Sequence, residues 1–232
     1  MKTKATFLAI QAAVAMTTQA AITITTGNFD AAATLQGAVR FRSLNTSPSQ
    51  QEVYLAASPS ALGTGERSQT DLIWNSGATF RFGWDPVRNK IFTEVVTIAS
   101  GTKKLERSFS SPDVAVLPNF ILVSGKDATP LNSLVLTLAS LDGNQLARDL
   151  VASNSLSQIS ITDPALFRDG FVLTGSIAYT GTPNTNESDK FEIVFGHSNL
   201  VPVPEPSTYL AAAMLVIPVV VGMRRSMQRR SF

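Results

Sequence analysis

The side chains of this sequence that could do chemistry are one histidine and a scatter of carboxylates. His197 could act as a general base only beside a serine and an orienting carboxylate, and the chain has no Gly-x-Ser-x-Gly elbow to present such a serine. Glycoside hydrolysis would need paired carboxylates, and none lies two residues from another on an aromatic-rich strand. The acids considered are Asp71, Asp85, Glu94, Glu106, Asp113, Asp142, Asp163, Asp169, Asp189 and Glu192. We therefore predict no catalytic residue and no enzymatic activity, and a secreted hydrolase is the weakest alternative.

Two polar loops are the only places where oxygen ligands for a cation come close together in the sequence. Asp142-Gly143-Asn144 and the stretch Asn184–Asp189 carry side-chain oxygens, but neither follows the ligand order of a calcium-binding loop. Turns of this composition are explained by side-chain hydrogen bonds to their own backbone. We therefore predict neither a metal site nor a cofactor.

The two tryptophans, Trp74 and Trp84, could stack on sugar rings if their faces were exposed. Trp84 shares one face of a strand with Phe80 and Phe82, because residues two apart point to the same side. We expect that face to be core. Trp74 precedes Asn-Ser-Gly and could instead close one end of the fold. Ile22–Thr26 is the only approach to the threonine rows of an ice-binding face, and we interpret it as a single strand.

The charge of the chain is unevenly distributed. Lys2, Lys4 and four C-terminal arginines supply six of the nineteen basic residues. Thirteen basic residues then face sixteen acids between Ala21 and Pro204, a net charge near −3 that gives no electrostatic reason to expect nucleic-acid binding. The absence of cysteine excludes disulfides, thiolate metal sites and a cysteine nucleophile.

The middle of the chain has the pattern of short strands. Runs rich in β-branched and aromatic residues alternate with clusters of Gly, Pro, Asn, Asp and Ser. The predicted strands are Ile22–Thr26, Ala38–Leu44, Glu52–Ala57, Ala78–Trp84, Lys90–Ala99, Phe120–Ser124, Ser133–Ser140, Ser157–Thr162, Phe171–Thr180 and Lys190–Gly196. Asn28–Gln36 could form a short helix, and Gln145–Val151 could be either a helix or a strand.

Two hairpins and one fold class follow from this pattern. Asp85–Asn89 has the composition of a turn between two strands, and a second hairpin is predicted across the polar loop Gly181–Asp189. With no helices to cover a parallel sheet, the strands favour an all-β fold, a single antiparallel β-sandwich of jelly-roll or lectin-like type over residues 22–198. A barrel is the alternative.

Both ends of the chain have the features of export signals. Residues 1–21 combine two lysines, an apolar segment and a small-residue cleavage region, which predicts a signal peptide cut after Ala20 or Ala21. Residues 199–207 form a proline-rich linker and residues 208–223 an apolar helix that is short for a membrane span. The basic tail of residues 224–232 would stop in the cytoplasm. Its arginines are Arg224, Arg225, Arg229 and Arg230.

The order of Pro204-Glu205-Pro206, a short apolar helix and an arginine cluster resembles the PEP-CTERM sorting tag of exported bacterial proteins. The resemblance covers residues 202–230. It implies recognition by an exosortase in the inner membrane, so the helix would be a temporary membrane anchor. The alternative to a sorting tag is an ordinary weak C-terminal membrane anchor after a proline linker. The alternative to the signal peptide is a buried N-terminal helix.

The body of the chain is similar to the choice-of-anchor W domain. The similarity lies in Leu72–Gly77, Leu134–Leu138, Phe167–Gly175 and Phe191–Phe195, and its coverage would be residues 22–197. The polar loop Gly181–Asp189 departs from that pattern. The family implies an exported sandwich and supplies no activity to carry over.

These features together predict a protein that leaves the cell through the Sec pathway and is held transiently at the inner membrane. We expect it at the cell surface or in the extracellular biofilm matrix, with a structural or adhesive role. Its expected partners are an exosortase-type processing enzyme and extracellular polysaccharide. A carbohydrate-binding module is the second hypothesis.

Overall fold

The computed structural model describes residues 22–27, 29, 34–43, 51–63, 67–74, 77–109, 120–127, 132–163, 170–181 and 189–197. Within them the chain forms thirteen strands and one 3-10 turn. None of the helices in these ranges has the length and apolarity needed to cross a membrane. The predicted signal peptide, linker, apolar helix and basic tail lie outside the described residues.

The strands are short and follow one another closely along the chain. They are β1 (Thr23–Thr26), β2 (Thr34–Ser43), β3 (Gln51–Ala56), β4 (Arg67–Asp71), β5 (Ala78–Asp85), β6 (Lys90–Thr97), β7 (Gly101–Ser108), β8 (Phe120–Asp127), β9 (Ser133–Leu141), β10 (Asn144–Ala152), β11 (Ser155–Thr162), β12 (Phe171–Thr180) and β13 (Lys190–His197). The 3-10 turn, Ser60–Gly63, lies between β3 and β4.

The strands form two antiparallel sheets. Sheet 1 has the order β1-β11-β8-β13-β2-β3-β4, and sheet 2 has the order β10-β9-β12-β5-β6-β7. Only β2-β3-β4, β5-β6-β7 and β9-β10 are neighbours both in sequence and in a sheet, and six of the twelve connections between these strands lead from one sheet to the other. The protein is all-β, and its two sheets are consistent with a β-sandwich.

Aromatic side chains from both sheets meet in the core. Phe41 and Phe191 of sheet 1 stack at 4.2 Å between ring centroids, and Phe80 of sheet 2 packs on Phe191 at 5.6 Å. Phe82 lies 5.9 Å from Phe195 in the same way. Each of these rings is at most 2 % exposed, so each stabilises the fold by about 2–3 kcal/mol through apolar burial.

Glycines make room for this core at two inward-facing positions. A Cβ on Gly175 of β12 would lie 2.6 Å from Cζ of Phe80. A Cβ on Gly125 of β8 would lie 2.6 Å from Cδ2 of Leu150. Non-bonded carbon atoms cannot approach this closely, so a larger residue would not fit at either position without displacing its neighbour. The glycines leave the space to the side chains of Phe80 and Leu150.

All ten predicted strands are confirmed, with boundaries that differ by a few residues. The open choice at Gln145–Val151 resolves as strand β10. The short helix that Asn28–Gln36 could have formed is not present where the structure describes this stretch, since Thr34–Gln36 begin β2. The first hairpin is confirmed as β5–β6.

The second predicted hairpin is wrong. Strand β12 pairs with β5 and β9 in sheet 2, whereas β13 pairs with β2 and β8 in sheet 1. Both edges of each strand are therefore occupied by other partners. The two strands belong to different sheets and do not pair, although they are close in sequence.

Candidate functional site

Both tryptophans are in the interior. Trp74 is fully buried, its backbone N–H donates to Oε1 of Gln51 at 2.7 Å, and its indole N–H donates to the carbonyl oxygen of Arg42 at 3.3 Å. Trp84 is 3 % exposed and stacks against Phe195. The core interpretation of Trp84 is correct. Neither ring offers a free face, so neither can serve as a stacking platform for a sugar in this structure.

His197 lies at the end of a strand of sheet 1, whereas Asp142 lies in a turn of sheet 2. His197 ends β13, half-buried and in register with Thr34 of β2. Oδ1 of Asp142 accepts a hydrogen bond from the backbone N–H of Val172 at 2.7 Å, which fixes the turn after β9 against β12. Burial raises the pKa of Asp142, the bond from Val172 opposes the shift, and the nearby carboxylate of Asp163 adds to it. Asp163 itself is fully buried.

A buried polar cluster that the sequence does not reveal lies at the other end of β12 from Asp142. The Tyr179 hydroxyl donates to Oδ2 of Asp189 at 2.8 Å and accepts from Nδ2 of Asn132 at 2.7 Å. Burial, Asp189 and the charge of Asp127 raise the pKa of the phenol well above its ordinary value. These hydrogen bonds hold the end of β12 to the residues that directly precede β9 and β13. Across the described ranges, no three His, Asp or Glu side chains are grouped in a way that could hold a metal.

The most unusual charge arrangement lies on the outer face of sheet 1. Strand alternation turns Phe41, Gly125 and Phe191 inward, so the residues on either side of each point outward. Three of these outward residues stand in one register line across adjacent strands. We call them the cationic row: Lys126 of β8, Lys190 of β13 and Arg42 of β2.

The cations of this face are unequally compensated. Nε of Arg42 lies 2.6 Å from Oε1 of Glu52, and Nε of Arg40 lies 2.5 Å from Oε2 of Glu192. Lys126 and Lys190 form no ion pair with any residue that the structure describes. Within the cationic row, the uncompensated positive charge therefore lies on the two lysines.

Lys190 is the most perturbed member of the cationic row. Burial lowers the pKa of its ammonium group, the charges of Arg40, Lys126 and Arg42 lower it further, and Glu192 opposes them. Like charges directly opposite each other on neighbouring strands destabilise a sheet. A sheet selected only for stability would not keep this arrangement, so the cationic row is our candidate functional site.

A second apolar cluster on the same outer face holds Arg42 in place. Tyr54 of β3 is 2 % exposed and packs with Leu62 of the 3-10 turn and Ala56. The guanidinium carbons of Arg42 and Arg67 lie 4.6 and 4.1 Å from its ring centroid. Nη2 of Arg42 also donates to the Tyr54 hydroxyl. These contacts fix the arginine at one end of the cationic row.

The outer face of sheet 2 is a surface of a different kind. Five successive positions of one register line carry short, uncharged and mostly hydroxyl-bearing side chains: Thr137, Ser176, Thr79, Val96 and Thr102. Asp149 of β10 follows at the end of the line. We call the five positions the hydroxyl row. A shallow depression of about 290 Å³ lies beside it, lined in part by Arg81 and Thr174.

No family model matches this chain, and no curated protein is significantly similar to it. The sorting motif Pro204, Glu205 and Pro206, the four tail arginines and the cleavage residues Ala20 and Ala21 lie outside the described residues.

Proposed function

We propose that the protein is exported through the Sec pathway, sorted by an exosortase-type enzyme, and delivered to the cell surface or extracellular matrix. There it has a structural or adhesive role and no catalysis. We further propose that its two sheets form a sandwich of jelly-roll or lectin-like type, with the outer faces as contact surfaces.

The observation that carries this proposal is the order of signals at the two ends of the sequence. Residues 1–21 have the layout of a signal peptide, and Pro204-Glu205-Pro206 precedes an apolar run and four arginines. A folded β-rich body without cysteines lies between them. If the signal peptide directs export and the four arginines remain in the cytoplasm, the body lies outside the inner membrane.

The described residues favour an adhesive role over sugar stacking. Both tryptophans are buried, so neither can supply the aromatic platform of a stacking carbohydrate-binding module. The candidate surface is instead a charged face that is open along several strands. Such a face suits extended polymeric partners better than a small enclosed substrate.

The sorting proposal is tested by mass spectrometry of the native protein from matrix and membrane fractions. We expect matrix material to begin near Ala21 or Ile22 and to lack the peptide that contains Arg229 and Arg230. A variant with Pro204→Ala, Glu205→Gln and Pro206→Ala should remain in the membrane with its tail intact. Pro202→Ala, in the same linker, is the matched control and should be processed normally. An intact tail on matrix material would refute processing.

A further inference from the structure

We propose that the cationic row is a binding subsite for an acidic polysaccharide, one whose repeating sugars carry both carboxylates and free hydroxyls. The inference names the partner of the adhesive surface, and its choice of a polysaccharide rests on the proposed function. The cationic row itself is a property of the fold, independent of sorting.

The geometry of the row suits a linear anion. Neighbouring strands lie about 4.8 Å apart, so Lys126, Lys190 and Arg42 on three adjacent strands extend over roughly 10 Å in one line. Lys126 is exposed and Lys190 is half-buried, so both side chains keep a solvent-accessible part that can reach a ligand. A chain with regularly spaced carboxylates could then meet successive cations along its length.

The cationic row is also incomplete without an anion. Glu52 and Glu192 are occupied by Arg42 and Arg40, and neither lysine pairs with a carboxylate of the described residues. Burial and the neighbouring cations lower the pKa of Lys190, so its charged form is held at a cost. A bound carboxylate would remove that cost, because an opposite charge within a few ångströms stabilises the ammonium form. The body around the cationic row is net acidic, so this attraction is local rather than general.

The neighbouring side chains favour sugars over nucleic acid or a membrane. The adjacent register line carries Glu192, Ser124 and Gln158, with Nε2 of Gln158 donating to Oγ of Ser124 at 3.0 Å. Hydroxyl and amide groups of this kind hydrogen-bond sugar hydroxyls. A single-strand nucleic-acid site would also need aromatic residues for base stacking, and the two register lines carry one aromatic side chain, the buried Tyr54.

The test measures binding of the full-length protein, purified in a nonionic detergent, to oligogalacturonate by calorimetry. A chelator is present so that calcium cannot bridge the two. Dextran serves as the neutral polymer, and single-stranded oligonucleotides and anionic lipid vesicles represent the other anions. The site variant is Lys126→Gln with Lys190→Gln. The matched control is Lys103→Gln with Lys104→Gln, which removes the same charge from exposed residues of β7 in sheet 2.

We expect oligogalacturonate binding that weakens as salt rises, and no dextran binding. The site variant should bind about tenfold more weakly and the control less than about twofold, since each exposed charge contact contributes modestly. The site variant should melt no lower than the wild type, which separates lost binding from lost folding. Absence of oligogalacturonate binding, equal losses in both variants, or tighter binding to oligonucleotide or vesicles would each overturn the inference. If the protein did not bind oligogalacturonate, the sorting proposal would still stand. If the sorting experiment failed, the measured binding by the cationic row would still stand.

Discussion

The outer faces of the two sheets differ, although both sheets contribute to one aromatic core. On sheet 2, Arg81, Glu94 and Lys104 follow one another in register, so the charge alternates in sign, and Nζ of Lys104 lies 3.0 Å from Glu94. On sheet 1, the corresponding line places Lys126, Lys190 and Arg42 side by side. This line of sheet 2 thus alternates in sign, whereas the line of sheet 1 places three cations in succession, and its two lysines pair with no described residue.

The faces also differ in what supports them. Sheet 1 carries an apolar cluster on its outer side, including Tyr54, Leu62 and Leu122, while sheet 2 presents the hydroxyl row. Core packing constrains only the inward residues of a strand. The outward residues can therefore differ between sheets, and on sheet 1 they combine a stabilising cluster with a destabilising line of charge.

The largest expected effect tests whether the outer face of sheet 1 is a second core. Tyr54→Ala removes a ring that is 2 % exposed and lies against two guanidinium groups. We expect it to lower the free energy of unfolding by about 3–5 kcal/mol, measured in urea. Phe92→Ala, at a half-buried outward position of sheet 2, should cost roughly half as much because less area leaves water. Equal losses would mean that the two faces are supported alike.

The next prediction compares two arginines with the same change. Arg42→Met leaves Glu52, whose side chain is 5 % exposed, without its 2.6 Å partner. We expect a loss of about 2–3 kcal/mol, because a mostly buried carboxylate is left uncompensated. Arg81→Met on sheet 2 affects an exposed residue and should change stability by less than about 0.5 kcal/mol. Chemical denaturation of both variants measures the difference.

The Arg42 prediction has an internal control. If the cost comes from the stranded carboxylate, adding Glu52→Gln to Arg42→Met should restore part of the lost stability. A double variant no more stable than the single one would show that the arginine acts mainly through its contacts with Tyr54.

The sequence predicted the strands that alternate apolar and polar residues, and it missed those that do not. Strands β4 and β7 lie at the edges of the two sheets and read Arg-Ser-Gln-Thr-Asp and Gly-Thr-Lys-Lys-Leu-Glu-Arg-Ser. An edge strand has one neighbour and often carries charges that discourage further pairing. Its strand character comes from the adjacent strand, not from its own composition, so periodicity cannot reveal it.

The candidate site was beyond sequence reasoning for a related reason. Lys126, Lys190 and Arg42 belong to strands far apart in the chain, and only the register of two pairings, β13 with β8 and β13 with β2, brings them into line. A shift of one residue in either pairing would turn a lysine toward the core side. The tryptophans, in contrast, were informative because Trp84 shares the period of Phe80 and Phe82 on a single strand, and burial follows from that strand alone.

The smallest expected effect most directly separates a functional line of charge from a structural one. Lys190→Gln removes the like-charge contacts with Lys126 and Arg42 and a half-buried ammonium group, so it should stabilise the protein by about 0.5 kcal/mol. For a chain of this size that corresponds to a melting temperature about 1–2 °C higher. Lys104→Gln on sheet 2 breaks an ion pair with Glu94 and should give no such gain. A lower melting temperature for Lys190→Gln would show that the lysine is a structural residue.

The pH dependence of that gain gives a second readout. The pKa of Lys190 lies below its ordinary value of 10.5 in the folded protein. Between the folded and unfolded pKa values the unfolded chain binds the proton more strongly, so wild-type stability attributable to Lys190 rises with pH in that window. Below the folded pKa the full cost of the charge is present. The gain in unfolding free energy from Lys190→Gln should therefore be greatest at neutral pH and shrink as the pH approaches 10.5. Lys104→Gln should give no stabilisation at neutral pH, so there is no gain that could shrink in the same way. A gain that is independent of pH would mean that the ammonium charge is not what destabilises this face.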